Sequence, residues 1–515
     1  MVERHKRALD NHVRKWRGLF AEVAYDGIML QPHMPSPTLC DRARAAKDAR
    51  FDGLFFTAVR TTGIYCRPVC PAPTPKQSNV SYFPTAAAAA TAGYRPCLRC
   101  RPELAPGLTT WGEHAVHRAL GLIAEGALEE ISIESLAAKV GLSGRQLRRV
   151  FIEHTGATAM AVHTTRRLLL AKQLLTETSM TVTQIAFASG FKSLRRFNSA
   201  FADGCGMPPT AIRRLRTDAP TAGLKLRLAY RPPLDFPLML AFFARRRIPG
   251  VEQVHSDSYE RVLGPASAAT WIRVSADANK PELILEISDA DPRSIPSIVR
   301  KVRRLFDLDA DLNAVHSVLS DEPILAKAIR KRPGLRVPGG WDGFEVAVRA
   351  VLGQQVSVAA ATTLMHRLVD TYGEQRIDGR PGLDRVFPTP ERLARAPLEK
   401  IGLPKTRAST LRSLATGYLE KQVGFQAGQR LDEFVSQLTK LPGIGDWTAQ
   451  YVAMRALSHP DAFPAGDLVL QQVLGEDHRL SLKETESRSQ AWRPWRAYAV
   501  LHLWHCAGDR ALGEK

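Results

Sequence analysis

Four of the seven cysteines crowd into 35 residues, as Cys66-x3-Cys70 and, 26 residues later, Cys97-x2-Cys100. Two close thiolate pairs on a turn-rich stretch suit a tetrahedral Zn²⁺ with sulfur about 2.3 Å away. The remaining cysteines, Cys40, Cys205 and Cys506, leave an odd total, which argues against a disulfide framework. Residues 37–110 are therefore expected to fold around one zinc held by Cys66, Cys70, Cys97 and Cys100. The tract Ala86–Ala90 reads as a short helix between the two pairs. On spacing alone, a purely structural zinc knuckle and a reactive zinc–thiolate site are both open.

The chain of 515 residues carries 71 Lys and Arg against 51 Asp and Glu, a formal charge of +20. A surplus of that size implies a polyanionic partner, and double-stranded DNA is the expected one, with binding that falls steeply as salt rises. No apolar run approaches the roughly 20 residues that span a bilayer. The basic stretch Met1–Phe20 lacks the apolar core of a secretory signal. The expectation is a cytoplasmic monomer with no membrane partner, built of about three to five domains. Residues 1–36 form an N-terminal extension: either a disordered arm that touches DNA, or sequence upstream of a later start at Met29 or Met34.

Residues 111–216 read as helical throughout and contain two related halves. The apolar sets Ile133, Leu136, Ala137, Val140 and Val182, Ile185, Ala186 follow helical spacing and are broken by Gly141-Leu-Ser143 and Gly190-Phe-Lys-Ser193. Each serine suits the N-cap of the following helix. Ser143, Arg145 and Gln146 in one half, and Ser193, Arg195 and Arg196 in the other, are candidate DNA contacts in a twin helix-turn-helix. The bland alternative is a helical spacer. After a linker at 217–223, period-two alternation predicts strands at 224–230, 270–275 and 282–288, inside a mixed α+β unit ending near 325. Residues 326–515 read as helical again. They contain Leu441-Pro-Gly-Ile-Gly445, a helix-hairpin-helix turn in which Gly443 and Gly445 let backbone amides approach a phosphate. Asp467 lies 22 residues past Gly445. Pro464-Ala-Gly-Asp467 also suits a plain helix cap.

Three family resemblances follow from these motifs. Arg60-Thr-Thr-Gly-Ile-Tyr-Cys-Arg-Pro-Val-Cys70, Asn79-Val-Ser and Gly93-Tyr-Arg-Pro-Cys-Leu-Arg-Cys-Arg-Pro102 resemble the N-terminal zinc domain of the Ada family. That resemblance implies stoichiometric, suicidal transfer of a methyl group from a DNA methylphosphotriester to Cys66, with Arg60, Thr62, Arg67 and Arg95 as candidate phosphate contacts. Four thiolates on Zn²⁺ carry −2, and methylating one leaves −1. Repair would thus relieve repulsion from DNA and act as a switch. Ile185-Ala-x3-Gly-Phe-x-Ser193, followed by Phe197, Phe201, Gly206 and Pro208, is similar to AraC-type DNA-binding domains. Activation of transcription and simple anchoring of the repair modules both fit it. RNA polymerase is a partner only in the first case.

The third resemblance covers roughly 224–510. Pro232-Pro-Leu-Asp235, Arg336-Val-Pro-Gly-Gly340, Val351-Leu-Gly-Gln-Gln-Val-Ser357, Leu441–Gln450, Asp467 and Trp495-Arg-x-Tyr-Ala-x-Leu-His-Leu-Trp504 resemble AlkA-type 3-methyladenine DNA glycosylase II. It implies a TATA-binding-protein-like domain at 224–325, a helix-hairpin-helix glycosylase domain at 326–515, and Asp467 as the catalytic carboxylate. Trp447 stands where lyase members carry a Schiff-base lysine, which implies a monofunctional glycosylase. Trp447 and Trp504 are expected to line the base pocket, where aromatic faces attract a cationic base. Gln354 and Gln355 sit at the turn that wedges the base stack, with Gln355 in place of the usual leucine. His478, His502 and His505 are read as structural or surface residues. No Pro-Cys-His-Arg motif is present, so alkylguanine repair is not expected. The whole is expected to be multidomain, mainly α with α+β parts. The competing reading is a methylation-switched regulator whose glycosylase half only binds DNA.

Overall fold

A computed structural model describes residues 34–107, 115–215 and 224–511, apart from 266, 268, 269, 289, 427, 476 and 477, and without the side chains of 377–379 and 511. The expected arm up to residue 33 and the linker 217–223 lie outside the described residues.

The cysteine unit is built on four short strands, β1 (Phe56–Val59), β2 (Ile64–Cys66), β3 (Val80–Phe83) and β4 (Arg95–Pro96), in the order β3-β1-β2-β4. β2 and β4 run parallel with Tyr65 opposite Pro96, so Cys66 and Cys97 leave the sheet side by side. The alanine tract forms the helix Ala86–Thr91, capped by the Thr85 hydroxyl on the Ala88 N–H. The cluster beneath it is small, Phe56, Ala58, Tyr65, Ala89 and Tyr94, with Cys40, Ala43 and Phe55 forming a second. A core that small needs a cross-link or a metal to hold it.

The twin helix-turn-helix consists of Ile133–Lys139 with Gly144–Thr155, and Val182–Ala188 with Leu194–Cys205, bridged by the long helix Ala159–Glu177. Gly141 and Gly190 both take φ +76° in the turns, the left-handed region that glycine enters without strain. The two halves belong to different cores. The first packs with Ala87 of the zinc unit, and the second packs onto the sheet domain through Phe197, Phe201 and Ile212.

That sheet has five antiparallel strands in the order β5-β9-β8-β7-β6: β5 (Leu224–Ala229), β6 (Glu252–Val254), β7 (Ser258–Val262), β8 (Trp271–Ala276) and β9 (Glu282–Ile287). β6 and β7 were not expected. Every residue of β7 is buried, including Glu260 and Arg261, so no apolar–polar alternation marks it. Arg261 is tolerated inside because it pairs with Glu252 and Glu345.

Two corrections concern the C-terminal half. The expected boundary at 325 falls inside the helix Pro323–Lys331. That helix and Leu312–Leu319 bury Leu312, Val315, Leu319 and Leu325 in the helical core, so the helical body begins near residue 312. Residues 326–515 are also not wholly helical. β10 (Glu374–Arg380) and β11 (Leu383–Val386) form a hairpin that turns at Gly382, with φ +77°. β11 packs against β7, and the Arg385 N–H bonds to the Gly250 carbonyl.

The units are docked on one another. Lys172 pairs with Glu103 and Arg101 with Glu177, tying the zinc unit to the long helix. Arg231 of the sheet domain donates to the carbonyls of Asp52 and Gly107 and to that of Asp309.

Candidate functional site

The four cysteine sulfurs all lie within 4.8 Å of one another. A tetrahedron of sulfurs about 2.3 Å from one Zn²⁺ has edges of about 3.8 Å, so the donor set and its span fit a single zinc. Without a cation, four thiols this close contend for the same protons. Hydrogen bonds with Cys100 and Cys66 hold the Cys70 thiol down to about 7. Cys97 and Cys100 are buried, while Cys66 and Cys70 are partly exposed. The Cys97 sulfur accepts from Arg99 N–H and the Cys100 sulfur from Arg67 N–H.

Arg60, Thr62 and Arg95 are exposed around this cluster. Arg67 is not available to a phosphate, which corrects the expectation. It is buried, paired with Asp52, and donates to the Cys100 carbonyl. Its neighbour in the chain is a zinc ligand, but its partner Asp52 lies 15 residues away, a contact that only the fold creates.

In the helix-turn-helix, Ser143 and Ser193 cap their helices by accepting from the Gln146 and Arg196 N–H groups. The Gln146 side-chain oxygen accepts in turn from the Ser143 N–H in a capping box, and the residue is exposed. Arg145, Arg195 and Arg196 are exposed.

In the C-terminal half, Asp467 stands at the start of the helix Leu468–Gly475, 8% exposed. Its Oδ1 accepts from the Val469 and Leu470 N–H groups, both at 3.0 Å. Trp447 Nε1 donates to Oδ2 at 2.9 Å and Trp504 Nε1 to Oδ1 at 3.3 Å. The expected aspartate and both expected tryptophans thus meet, and the aspartate is also a helix cap. A third aromatic, absent from the sequence reading, completes the group. Tyr451 stacks on Trp447 with ring centroids 5.4 Å apart and planes 7° apart, and lies 6.4 Å from Trp504. Its place four residues after Trp447, on the same helical face, was the available signal. Burial would raise the Tyr451 phenol, but the guanidiniums of Arg455, Arg246 and Arg349 outweigh it and bring it below its usual value.

The hairpin Thr439–Gly445 joins Leu431–Leu438 to Asp446–Ala456. Gly443 has φ +83°, and a Cβ there would lie 2.0 Å from the Thr410 hydroxyl. Gly445 is extended, with open space where a Cβ would sit. Gly443 is therefore required by the fold, and Gly445 leaves its surroundings clear. Gln354 donates to the Gly443 carbonyl (3.0 Å) and the Thr448 hydroxyl (3.1 Å), pinning the Gly353–Ser357 turn to the hairpin. Gln355 is exposed at the tip in the left-handed region, φ +55°, beside the exposed Val356. His502 is buried and held down to about 3, by burial first and then by His316 and His505. His505 is half-buried and His478 exposed.

Comparison with known proteins places these pieces together. The profile described as metal binding domain of Ada matches residues 39–103, helix-turn-helix domain 136–215, AlkA N-terminal domain 225–342, and HhH-GPD superfamily base excision DNA repair protein 348–497. The probable bifunctional transcriptional activator/DNA repair enzyme AlkA of Mycobacterium tuberculosis (strain ATCC 25618 / H37Rv) is 39% identical over 477 residues, 90% of this chain and 95% of that protein. The chain belongs to this AlkA family of bifunctional activator and repair proteins. Its C-terminal part is 34% identical to DNA-3-methyladenine glycosylase 2 of Escherichia coli (strain K12), over 55% of this chain and 97% of that protein. A 3-methyladenine DNA glycosylase of Archaeoglobus fulgidus superposes with TM-score 0.48 at 20% identity, over 55% of this chain and 97% of the other. The family carries one zinc on the four cysteines together with a DNA-binding helix-turn-helix. Among the described residues no helix is long and apolar enough to cross a membrane.

Proposed function

We propose that this protein removes alkylated bases of the 3-methyladenine class from duplex DNA with Asp467, and takes a methyl group from DNA methylphosphotriesters onto Cys66. The observation that carries the first activity is the carboxylate held between two indoles. Four N–H donors fix Asp467 in one orientation before any substrate arrives. When the C1′–N bond of a flipped nucleotide breaks, the electron pair goes to the departing base and neutralises its positive charge. The sugar is left cationic, and Asp467 stabilises it until water adds at C1′. The ring faces of Trp447, Tyr451 and Trp504 suit a flat cationic base. With an indole at position 447 there is no amine there to form a Schiff base, so the product is an intact strand with an abasic site.

For the second activity, a bound zinc would keep the sulfurs deprotonated at neutral pH. Cys66 is favoured as acceptor over Cys97 and Cys100 because it is partly exposed and they are buried with backbone N–H groups on their sulfurs, and over Cys70 by the resemblance of its motif to the Ada zinc domain. The sulfur lone pair attacks the methyl carbon, the S–C bond forms, and the C–O bond breaks to leave a phosphodiester anion. In this reading the exposed Arg60, Thr62 and Arg95 hold the DNA backbone, and the exposed Arg145, Arg195 and Arg196 enter a groove. Recruitment of RNA polymerase by the helix-turn-helix belongs to this reading, with the loss of one negative charge at the zinc site as the trigger.

Intact-mass analysis after exposure to methylated duplex DNA tests the zinc half. Wild type should gain one methyl group, mapped to the Cys66 peptide, and Cys66→Ser none. A methyl group on Cys70 instead would overturn the assignment.

A further inference from the structure

The turn Gly353–Ser357 joins the helices Gly343–Leu352 and Val358–Tyr372 and is tied down on both sides of its tip. Before the tip, the Gln354 amide nitrogen donates to the Gly443 carbonyl and the Thr448 hydroxyl, and the Gln354 carbonyl accepts from Arg407 Nη2 at 2.7 Å. After it, the Ser357 hydroxyl caps the next helix by accepting from the Ala360 N–H at 3.2 Å. Between these anchors Gln355 is held at φ +55°. A long side chain in the left-handed region is strained, and such strain persists where the surroundings fix it and gathers at sites that clamp a ligand. The Gln355 side chain makes no hydrogen bond among the described residues. It is exposed, as are Val356, Ser357, Val358 and Ala359 after it.

The place of the tip narrows what it can meet. Thr448 follows Trp447, whose indole bonds to Asp467, and Gly443 belongs to the hairpin. The tip therefore stands beside the aromatic pocket, on the same support as the hairpin. Residues 355–359 carry no charge, so the tip is not built for a phosphate. An amide between apolar neighbours suits the inside of a base stack. Taking a base out of a duplex leaves a gap and an unpaired partner opposite it. A purely apolar tip would fill the gap and ignore the partner. An amide sets a donor nitrogen beside an acceptor oxygen, the pattern that an unpaired base edge answers.

We propose that Gln355 reads the orphaned base. When a purine lesion is held at Asp467, the Gln355 amide enters the gap and hydrogen-bonds the edge of the pyrimidine left behind. Thymine gives its N3–H to Oε1 and takes Nε2–H at O4, and cytosine gives its N4–H to Oε1 and takes Nε2–H at N3. Both partners of a damaged purine are thus accepted, while a purine left opposite crowds the amide. Gln355 sets which base pairs are repaired and takes no part in breaking the bond. The proposal rests on the base-removal reading above.

The test is binding to duplexes that already lack the base, so that it does not depend on bond cleavage. The full-length, zinc-loaded protein is titrated with four duplexes in which a tetrahydrofuran abasic analogue faces thymine, cytosine, adenine or a second tetrahydrofuran. The zinc unit and the helix-turn-helix meet the same DNA in all four, so any difference belongs to the tip. Wild type should bind the thymine and cytosine duplexes about tenfold more tightly than the doubly abasic one, the worth of two ordinary hydrogen bonds. Gln355→Met, close in length but without the amide, should bind all four within about twofold of one another. Gln355→Gly relieves the positive φ, should melt no lower than wild type, and should lose the preference as well. No pyrimidine preference in wild type, or the same preference in the Met variant, would overturn the proposal. Adenine bound as tightly as the pyrimidines would overturn the choice of pyrimidine. Base release from methylated duplex DNA is scored separately. A preference without base release keeps the reading of the orphaned base and sinks the chemistry at Asp467, and base release without a preference does the reverse.

Discussion

Asp467 caps a helix and faces the aromatic cluster with the same carboxylate, and the two roles separate by substitution. Asparagine caps about as well as aspartate but carries no charge, whereas alanine loses the cap at about 1 kcal/mol. Asp467→Asn should therefore keep the cap through its amide oxygen and lose the bond from Trp447, while Asp467→Ala should lose both and be the less stable of the two in a urea titration. The hairpin glycines separate in a similar way. Gly443→Ala forces a Cβ onto Thr410 at positive φ and should cost about 1–3 kcal/mol. Gly445→Ala meets nothing and should leave stability unchanged within about 0.5 kcal/mol. Equal destabilisation by the two would contradict the geometry. The cysteines and Asp467 were legible in the sequence because each sits in a short motif whose spacing is itself the chemistry. Arg67 was misread because its partner Asp52 is set by the fold. A basic side chain beside a zinc ligand looks the same whether it faces DNA or a buried carboxylate.

At the scale of elements, the helices with strong apolar spacing and capping serines stand where the sequence puts them, and so do the three alternating strands. The hairpin β10–β11 and strands β6 and β7 do not show in the sequence, since their burial rests on charged pairs such as Arg261–Glu345 and not on apolar alternation. The helix Arg496–Ala511 makes a prediction of its own. His502 on it is buried with a pKa held down to about 3, against an ordinary value near 6.5. Between these values the unfolded chain binds a proton that the folded chain refuses. Stability therefore falls as pH drops from about 6.5 towards 3, at up to about 1.4 kcal/mol per pH unit from this one group. Replacing His502 with a neutral side chain should flatten that slope in denaturant melts taken across the window. An unchanged slope would show that other groups carry the acid limb.

For the whole molecule, the zinc unit has too small a core to stand without its metal, yet it is docked on the sheet domain through Arg231. Each bond from that guanidinium to a buried carbonyl is worth about 1.5–3 kcal/mol. Arg231→Met should loosen the zinc unit from the sheet domain, seen as faster amide exchange around Asp52 and Gly53, while the ion pairs Lys172–Glu103 and Arg101–Glu177 still hold it and the helical body stays folded. Chelation of the zinc should unfold the same unit and leave base release in place. Loss of base release in step with the metal would contradict the division of labour. The order of the units was legible in the sequence, but their docking was not, because Arg231, Asp52 and Asp309 carry no local signal of pairing across so much chain.

The central claim is that Asp467, held by Trp447 and Trp504, hydrolyses the bond to alkylated bases. Base release from methylated duplex DNA under single-turnover conditions, by wild type and by Asp467→Asn, measures it most directly. The account predicts free methylpurines and uncut strands from wild type, and a rate about 10²–10³ lower from the variant. Equal release by the two proteins, or none by either, would contradict it.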